Sequence, residues 1–347
     1  MTNITSQQSN RIEGLDIIRA LAIFCVIIIH CVGPIRSIDE LNDPTVILHC
    51  AAISIGRLGV PFFFLLSGYF LIHRNYDKDR IKKFYRNNFL TLLLTWELWL
   101  IIYHSYFAIV HGVPINWSVL LKNMLFIEYI NMFHAWYMPV ILEIYLILPI
   151  MSRLLNALST SKLIPIAIIS YIYFFVMPTA FYFHLPFGRL HSLTGVYIFY
   201  VVLGYLIRRY ESTLKSSISL IFVVIFSIIA TTKAQELISI LLNGNGIYDL
   251  WYNFCLLPVA TFCIFIYLKD KKCKFFGKLV SKISECSFGI YLIHILIMDL
   301  FWKYEILNSI ENEKLHTIIF TCLISLISFM IVFLLKKIPY LGKILFR

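Results

Sequence analysis

The sequence predicts an all-α, polytopic membrane protein: a single bundle of about ten transmembrane helices with both termini in the cytoplasm. Hydrophobic residues make up 60% of the 347 residues and charged residues only 14%, whereas about a quarter of a soluble domain is charged. The apolar residues fall into runs near the length of about 20 residues that crosses the hydrocarbon core as a helix. No internal repeat or soluble domain interrupts these runs, so residues 1–347 are expected to form one membrane domain.

Ten apolar runs are predicted as spans. The fourth and fifth contain prolines, which membrane helices tolerate where neighbouring groups satisfy the freed backbone. The polar N-terminal segment contains no apolar signal core, so the first span is expected to remain in the mature protein. The predicted spans are approximately residues 15–33, 51–72, 88–110, 135–152, 163–183, 193–207, 217–232, 249–268, 284–302 and 315–335.

Lysine and arginine predict the orientation of the chain. Segments 73–86 and 269–282 each contain six basic residues, whereas the five alternate connections together contain only six. Basic loops stay in the cytoplasm, which places both termini and the basic segments on the cytoplasmic side of a bacterial plasma membrane. The formal net charge of +11 is then an orientation signal and a contact with anionic lipid, and nucleic-acid binding is not predicted.

The eight cysteines predict no metal site. They are scattered, mostly within apolar runs, and no CxxC or Cys/His spacing occurs. This pattern is not typical of a zinc site or a disulfide framework. We interpret the cysteines as small buried hydrophobic residues.

The first span, LDIIRALAIFCVIIIHC, carries three ionisable side chains. Arg19 and His30 are separated by close to three helical turns, so they share a face and lie about 16 Å apart along the axis. Asp16 lies on nearly the same face, within reach of an ion pair with Arg19. Ionisable groups at membrane depth usually face a bundle interior or a cavity. The three residues therefore favour a polar track through the bundle over a structural salt bridge plus a core histidine.

The second span contains SIGRLGVPFFFLLSGYF and runs in the opposite direction. Arg57 is therefore predicted at nearly the depth of His30, where it either snorkels outward or holds an anionic or oxyanionic group beside the histidine. Ser67, toward the inner face, is a candidate nucleophile, but no base lies in sequence reach. Packing beside Gly68 is the favoured interpretation.

These segments carry a resemblance to a known family. The pattern LD-x-x-RA-x-A-x(7)-H, the block RLGVPFFFLLSGYFL, the segment HAWYMPVILEIYLILP and the late SFGIYLIH are similar to the integral-membrane acyltransferase-3 family over essentially the whole chain. The resemblance implies a stand-alone surface-polysaccharide O-acetyltransferase with ten spans. Acetyl-coenzyme A in the cytoplasm is the implied acyl donor, with succinyl as an open alternative, and the implied partner is a cell-surface or lipid-linked glycan.

The donor is expected at the inner face, because coenzyme A phosphates need cationic partners. Family members often carry an Arg-x-x-Arg pair before the third span, whereas here Arg86 is followed by Asn87, Asn88 and Phe89. A lysine three residues earlier keeps the spacing. An equal alternative is that the loop cations only set the orientation of the chain in the membrane and do not bind the donor. The predicted donor-binding residues are Arg19, Ser67, Lys82, Lys83 and Arg86.

The acceptor is expected at the outer face. Acyl transfer to a hydroxyl needs a base and donors for the developing oxyanion, and His30 and Arg57 are the catalytic candidates, with Asp16 as the structural partner of Arg19. Glu143 either orients a histidine or binds an acceptor hydroxyl, or makes an ordinary interhelical hydrogen bond. The predicted substrate-binding residues are His134, Trp136, Tyr137, Glu143 and His294.

Two other functions compete with this interpretation. A glycan or metabolite exporter would also explain intramembrane charges, although such proteins usually show inverted repeats. A purely structural or sensory subunit leaves the alignment of Asp16, Arg19 and His30 unexplained. Membrane lipids are expected partners in every case, and monomeric and oligomeric forms are both open.

Overall fold

Helices are the regular secondary structure throughout the part of the chain that the structure describes. A computed structural model describes residues 13–32, 44–128, 130–183, 193–241, 250–273 and 275–346, and these residues contain no strand. Part of the N-terminal segment used in the orientation prediction lies outside the described residues. The helices are α1 (Glu13–Cys31), α2 (Pro44–Gly56), α3 (Gly59–Leu71), α4 (Lys78–Phe84), α5 (Leu90–His111), α6 (Trp117–Met124), α7 (Tyr137–Ala157), α8 (Thr160–Tyr171), α9 (Met177–Tyr182), α10 (Leu193–Arg209), α11 (Ser219–Leu241), α12 (Leu256–Leu268), α13 (Gly277–Lys303), α14 (Glu313–Leu335) and α15 (Leu341–Leu345).

Eight helical segments of the described chain are long and apolar enough to cross a membrane, which confirms a polytopic membrane fold. Three of them join two labelled helices, at Pro44–Leu71, Lys78–His111 and Thr160–Tyr182. The predicted sixth and eighth spans are shorter helices, α10 with 17 residues and α12 with 13. At 1.5 Å per residue α12 is about 20 Å long, less than the hydrocarbon thickness.

A break separates α2 from α3 in the middle of their joint segment. Pro61 has no N–H to donate to the carbonyl of Arg57, four residues earlier, and the chain forms a turn at Arg57 and Leu58 before the helix resumes at Gly59. Arg57 is only 6% exposed. The proline therefore places a buried arginine at an irregular point of the backbone inside the bundle.

A π-helical turn, Tyr85–Phe89, joins α4 to α5. Such a turn inserts one residue relative to the α-helical repeat, so the side chains before it and after it do not follow one helical face. Asn87 and Asn88 lie within this turn. A second π-helical turn, Ile172–Val176, joins α8 to α9.

Two glycines allow α3 and α10 to pack with their backbones in contact. A Cβ added to Gly68 would collide with the carbonyl oxygen of Val201, and one added to Gly204 would collide with that of Leu65. Small residues at membrane helix interfaces permit this close approach. Because each glycine contacts the backbone of the other helix, the relative position of α3 and α10 depends on both.

The helices α1 and α13 run parallel and contact each other at two levels. Arg19 donates to Ser284 Oγ at 3.0 Å, and ten to eleven residues further along each helix the rings of His30 and His294 lie 5.3 Å apart. The polar face predicted for α1 therefore meets polar side chains of α13.

We call the end of the bundle at which α1 begins the basic end. There the N–H of Cys273, in the second basic segment, donates to the Glu13 carboxylate at 3.1 Å, and Arg19 lies 6.0 Å from the ring centre of Phe70, just before the first basic segment.

Gly204→Ala is expected to lower the free energy of unfolding by about 2 kcal/mol or more, because overpacking a site that cannot yield costs 1–3 kcal/mol or more. The obstacle is the Leu65 carbonyl oxygen, a backbone atom. Gly277→Ala is the control, since its nearest neighbour would lie at an ordinary 3.9 Å. Thermal unfolding in nanodiscs measures both, and equal melting temperatures would contradict the packing argument.

Candidate active site

A cavity of about 390 Å³ lies between α1, α3, α5, α7 and α13. Arg19 and Asn87 line it toward the basic end, and Tyr137 and Tyr291 line it at the far end. Between them the wall is mostly apolar, with Ser67 as one of the polar lining groups. The cavity therefore leads from a cation at one end to tyrosines at the other.

Arg19 is held at the cavity by two residues. Its guanidinium lies 3.6 Å from the carboxylate of Asp16 and donates to Ser284, whose hydroxyl in turn donates to Asp16 at 2.7 Å. The Asp16 side chain is 8% exposed and that of Arg19 is 31% exposed. The buried carboxylate thus orients a half-buried cation that still faces the cavity.

The three predicted loop cations do not line the cavity. Lys82, Lys83 and Arg86 are exposed, and Arg86 donates to the side-chain oxygen of Asn87 at 3.2 Å. Asn87 and its neighbour Asn88 line the cavity in their place. The π-helical turn explains the difference, because it shifts the residues after Arg86 out of the register that a continuous helix would give. Sequence reasoning missed the two asparagines, and their position directly after the basic segment was the available signal.

Ser67 lines the cavity, but its hydrogen bonds do not activate it. The hydroxyl donates to the carbonyl of Phe63 at 3.0 Å, one turn earlier on α3. It also lies 3.3 Å from the hydroxyl of Tyr145. No hydrogen bond joins it to a histidine or carboxylate among the described residues, and an activated serine requires such a base.

Three histidines form a cluster beyond the far end of the cavity. The ring of His294 lies 5.3 Å from that of His30 and 5.4 Å from that of His134. His294 and His134 are 0% and 1% exposed, whereas His30 is half-buried. Residues from α1, from the segment before α7 and from α13 therefore meet at one point.

Two tyrosines connect the histidine cluster with the cavity. Tyr291 donates to the backbone carbonyl of His134 at 2.8 Å, and its ring lies 5.1 Å from the imidazole of His134. The ring of Tyr137 lies 5.4 Å from that of Tyr291. Because both tyrosines line the cavity, they form the wall between it and the histidines.

Arg57 lies against aromatic rings. Its guanidinium is 4.4 Å from the ring centre of Trp251 and 4.8 Å from that of Tyr252, distances at which a cation is attracted to a ring face. Trp136 packs on the same rings, 5.8 Å from Trp251 and 5.5 Å from Tyr252. Arg57 also acts electrostatically on His30. Sequence reasoning missed Trp251 and Tyr252, which belong to no recognisable motif.

The structure places Glu143 outside the cavity lining, and its contact with substrate stays a prediction. Tyr137, Ile141 and Tyr145 line the cavity at intervals of four residues along α7. Glu143 is two residues from Ile141, which rotates it about 200° around the helix, and it is exposed on the outer face. The acidic residue therefore lies away from both the cavity and the histidine cluster.

Comparison with known proteins agrees with this geometry. A family model described as an acyltransferase domain, that of the acyltransferase-3 family, matches residues 12–337. The chain belongs to the acyltransferase-3 family. This membership confirms the family that the sequence motifs predicted.

Comparisons with curated proteins and with solved structures give less information about this chain than the family model does. This chain is 24% identical over 315 residues to a protein of Enterococcus faecalis named amino-acid racemase. The match covers 83% of this chain and 41% of the relative, so the chain spans about two fifths of that protein's length. No solved structure matches the chain.

Two substitutions on α7 separate the two faces of this helix. Tyr145→Leu is expected to raise the KM for the acyl donor about tenfold, because it removes a lining group and its contact with Ser67 and a lost hydrogen bond costs about 1 kcal/mol or more. Glu143→Gln is the control and is expected to change the KM less than twofold. Steady-state kinetics of both variants measures the difference. A larger effect of Glu143→Gln than of Tyr145→Leu would place the site on the other face of α7.

Proposed function

We propose that this acyltransferase moves an acetyl or other short acyl group from cytoplasmic acyl-coenzyme A to a hydroxyl of a cell-surface or lipid-linked glycan, with His30 as the general base. The proposal includes a bacterial plasma membrane with the basic end in the cytoplasm. The observation that carries it is the cavity, which has Arg19 at the basic end and the wall of Tyr137 and Tyr291 beside the histidines at the other.

The basic end suits a donor with phosphates. Arg19 presents a fixed charge, and the exposed Lys82, Lys83 and Arg86 add cations for the nucleotide end of coenzyme A. The amides of Asn87 and Asn88 can donate to and accept from the peptide-like groups of a pantetheine arm. The cavity volume of about 390 Å³ lies within the 300–1,000 Å³ range of small-molecule sites.

The far end supplies the groups that transfer requires. The acceptor oxygen attacks the thioester carbonyl carbon, its proton passes to His30, and the carbon–sulfur bond then breaks. The departing thiolate takes the proton back, so that no net proton is gained or lost. Arg57 and the hydroxyl of Tyr137 are the proposed donors to the oxyanion. Donors directed at the charge that develops in the transition state lower the barrier to acyl transfer.

Transport of a small metabolite without acyl chemistry is the second candidate. The observation in its favour is the similarity to a protein named amino-acid racemase, which suggests an amino acid as the cargo. The acyl-transfer proposal is preferred because the family model is that of an acyltransferase domain over nearly the whole chain. Coenzyme A binding separates the two, since a transporter of this kind has no need of it.

The test uses the purified protein in lipid nanodiscs with radiolabelled acetyl-coenzyme A, with and without a crude surface-glycan extract. Label is expected to move to the glycan. His30→Ala is expected to lower kcat by about 10²- to 10⁴-fold, the usual contribution of a positioned base. Arg19→Ala is expected mainly to raise the KM for acetyl-coenzyme A, because Arg19 lies at the donor end.

The matched control is His316→Ala, which removes a histidine that stacks on Phe320 on α14 and is expected to leave transfer unchanged. If His30→Ala transferred acetyl at the wild-type rate in folded protein, His30 would not be the base. Folded protein that neither binds nor consumes acetyl-coenzyme A would favour transport.

A further inference from the structure

His294 is the buried histidine whose hydrogen bonds determine its protonated nitrogen. Its Nδ1 lies 2.8 Å from the carbonyl oxygen of Tyr291 and 3.2 Å from that of Ile290. A carbonyl oxygen only accepts, so Nδ1 must carry the hydrogen. In the neutral ring Nε2 therefore bears a lone pair, and this buried atom has no hydrogen-bond partner among the described residues.

His134 cannot supply the missing donor to His294. Its Nε2 lies 3.1 Å from the hydroxyl oxygen of Tyr103, and that hydroxyl donates its single hydrogen to the carbonyl of Leu292 at 2.7 Å. The Tyr103 oxygen is thus the acceptor, and the N–H of neutral His134 lies on Nε2. No N–H remains on His134 for His294.

His30 is the remaining histidine of the cluster. Its ring centre is 5.3 Å from that of His294. Because Nε2 of His294 has no direct partner among the described residues, the connection that this separation allows is one bridging water. The ring of His30 is half-buried, whereas His294 is 0% exposed. An N–H of His30 directed to this water leaves the other nitrogen of His30 as an unprotonated base.

We propose that His294 is a positioning residue for acyl transfer: its Nε2 accepts a hydrogen bond from a water that His30 donates to, and this bridge fixes the orientation and the protonated nitrogen of the base. This inference rests on the proposed function. Tyr291 connects His294 with the donor cavity, because its carbonyl accepts the hydrogen bond from His294 and its side chain lines the cavity. When His30 takes the hydroxyl proton, its original N–H stays linked to His294 through the bridging water, and the lone pair of Nε2 stabilises the imidazolium through that water. No proton leaves the pair until the thiolate recovers it.

Two substitutions of His294 separate this role from packing. Asn places a donor near Nδ1 and keeps the bond to the Tyr291 carbonyl, but it has no group at the position of Nε2. Gln reaches that position with an amide oxygen that can accept from the bridging water. His294→Asn is expected to lower kcat about 10²-fold, and His294→Gln is expected to recover at least tenfold of that loss, both with the KM for acetyl-coenzyme A within twofold of wild type.

Met298→Leu is the packing control, because Met298 is 0% exposed one turn further along α13 and this exchange is usually tolerated. The double variant His30→Ala/His294→Asn is expected to be no slower than His30→Ala, since residues that act as a unit are not additive. Equal rates for the Asn and Gln variants, or multiplying losses in the double variant, would overturn the inference.

A second measurement does not depend on turnover. In nanodiscs, nitrogen NMR of the protein labelled at histidine is expected to show the hydrogen of His294 on Nδ1, and His30→Ala is expected to shift the Nε2 resonance of His294. A hydrogen on Nε2, or a resonance insensitive to His30, would overturn the inference even if acetyl transfer is observed. If transfer is absent while the His30-dependent shift is present, the proposed function fails and the contact between the two histidines stands.

Discussion

The cost of polar groups inside a membrane is the constraint on which this structure depends. An ionisable side chain at membrane depth is expensive unless it is paired or faces a cavity, and α1 carries Asp16, Arg19 and His30 on one face. The parallel packing of α13 meets that face with Ser284 at one level and His294 at the other. One pair of helices therefore positions both the cation of the cavity and the half-buried histidine, about 16 Å apart along the axis.

The other helices bring groups to this pair through features that interrupt regular helix. Proline breaks the segment of α2 and α3 and leaves Arg57 buried against aromatic rings. Gly68 and Gly204 hold α3 directly on α10, and the π-helical turn before α5 directs asparagines into the cavity. Each irregularity would weaken an isolated helix. Here each one coincides with a lining group, a buried arginine or a close backbone contact.

Sequence reasoning succeeded where a feature is local to one helix. Apolar length predicted the eight described segments that are long enough to cross a membrane. Periodicity placed Arg19 and His30 on one face of α1, and α13 covers that face. Sequence reasoning did not indicate that Glu143 lies on the exposed face of α7, because the direction in which a side chain of α7 faces depends on which neighbours pack on that helix. It also missed Asn87 and Trp251. The position of Asn87 depends on a change of helical register, and that of Trp251 on a contact between chain segments nearly two hundred residues apart. Neither feature leaves a periodic signal in the sequence.

Under the proposed function, an acyl group is transferred between two sides of a membrane, and the wall of Tyr137 and Tyr291 lies where the two sides would meet. An open channel joining the two ends would admit water, which competes with the acceptor for the thioester. In the structure the cavity ends at the two tyrosines, and the histidines pack behind them. Under the proposed function, donor and acceptor would approach this wall from opposite sides. Only the reacting atoms would then have to meet at His30, and the charged end of the donor would remain beside Arg19.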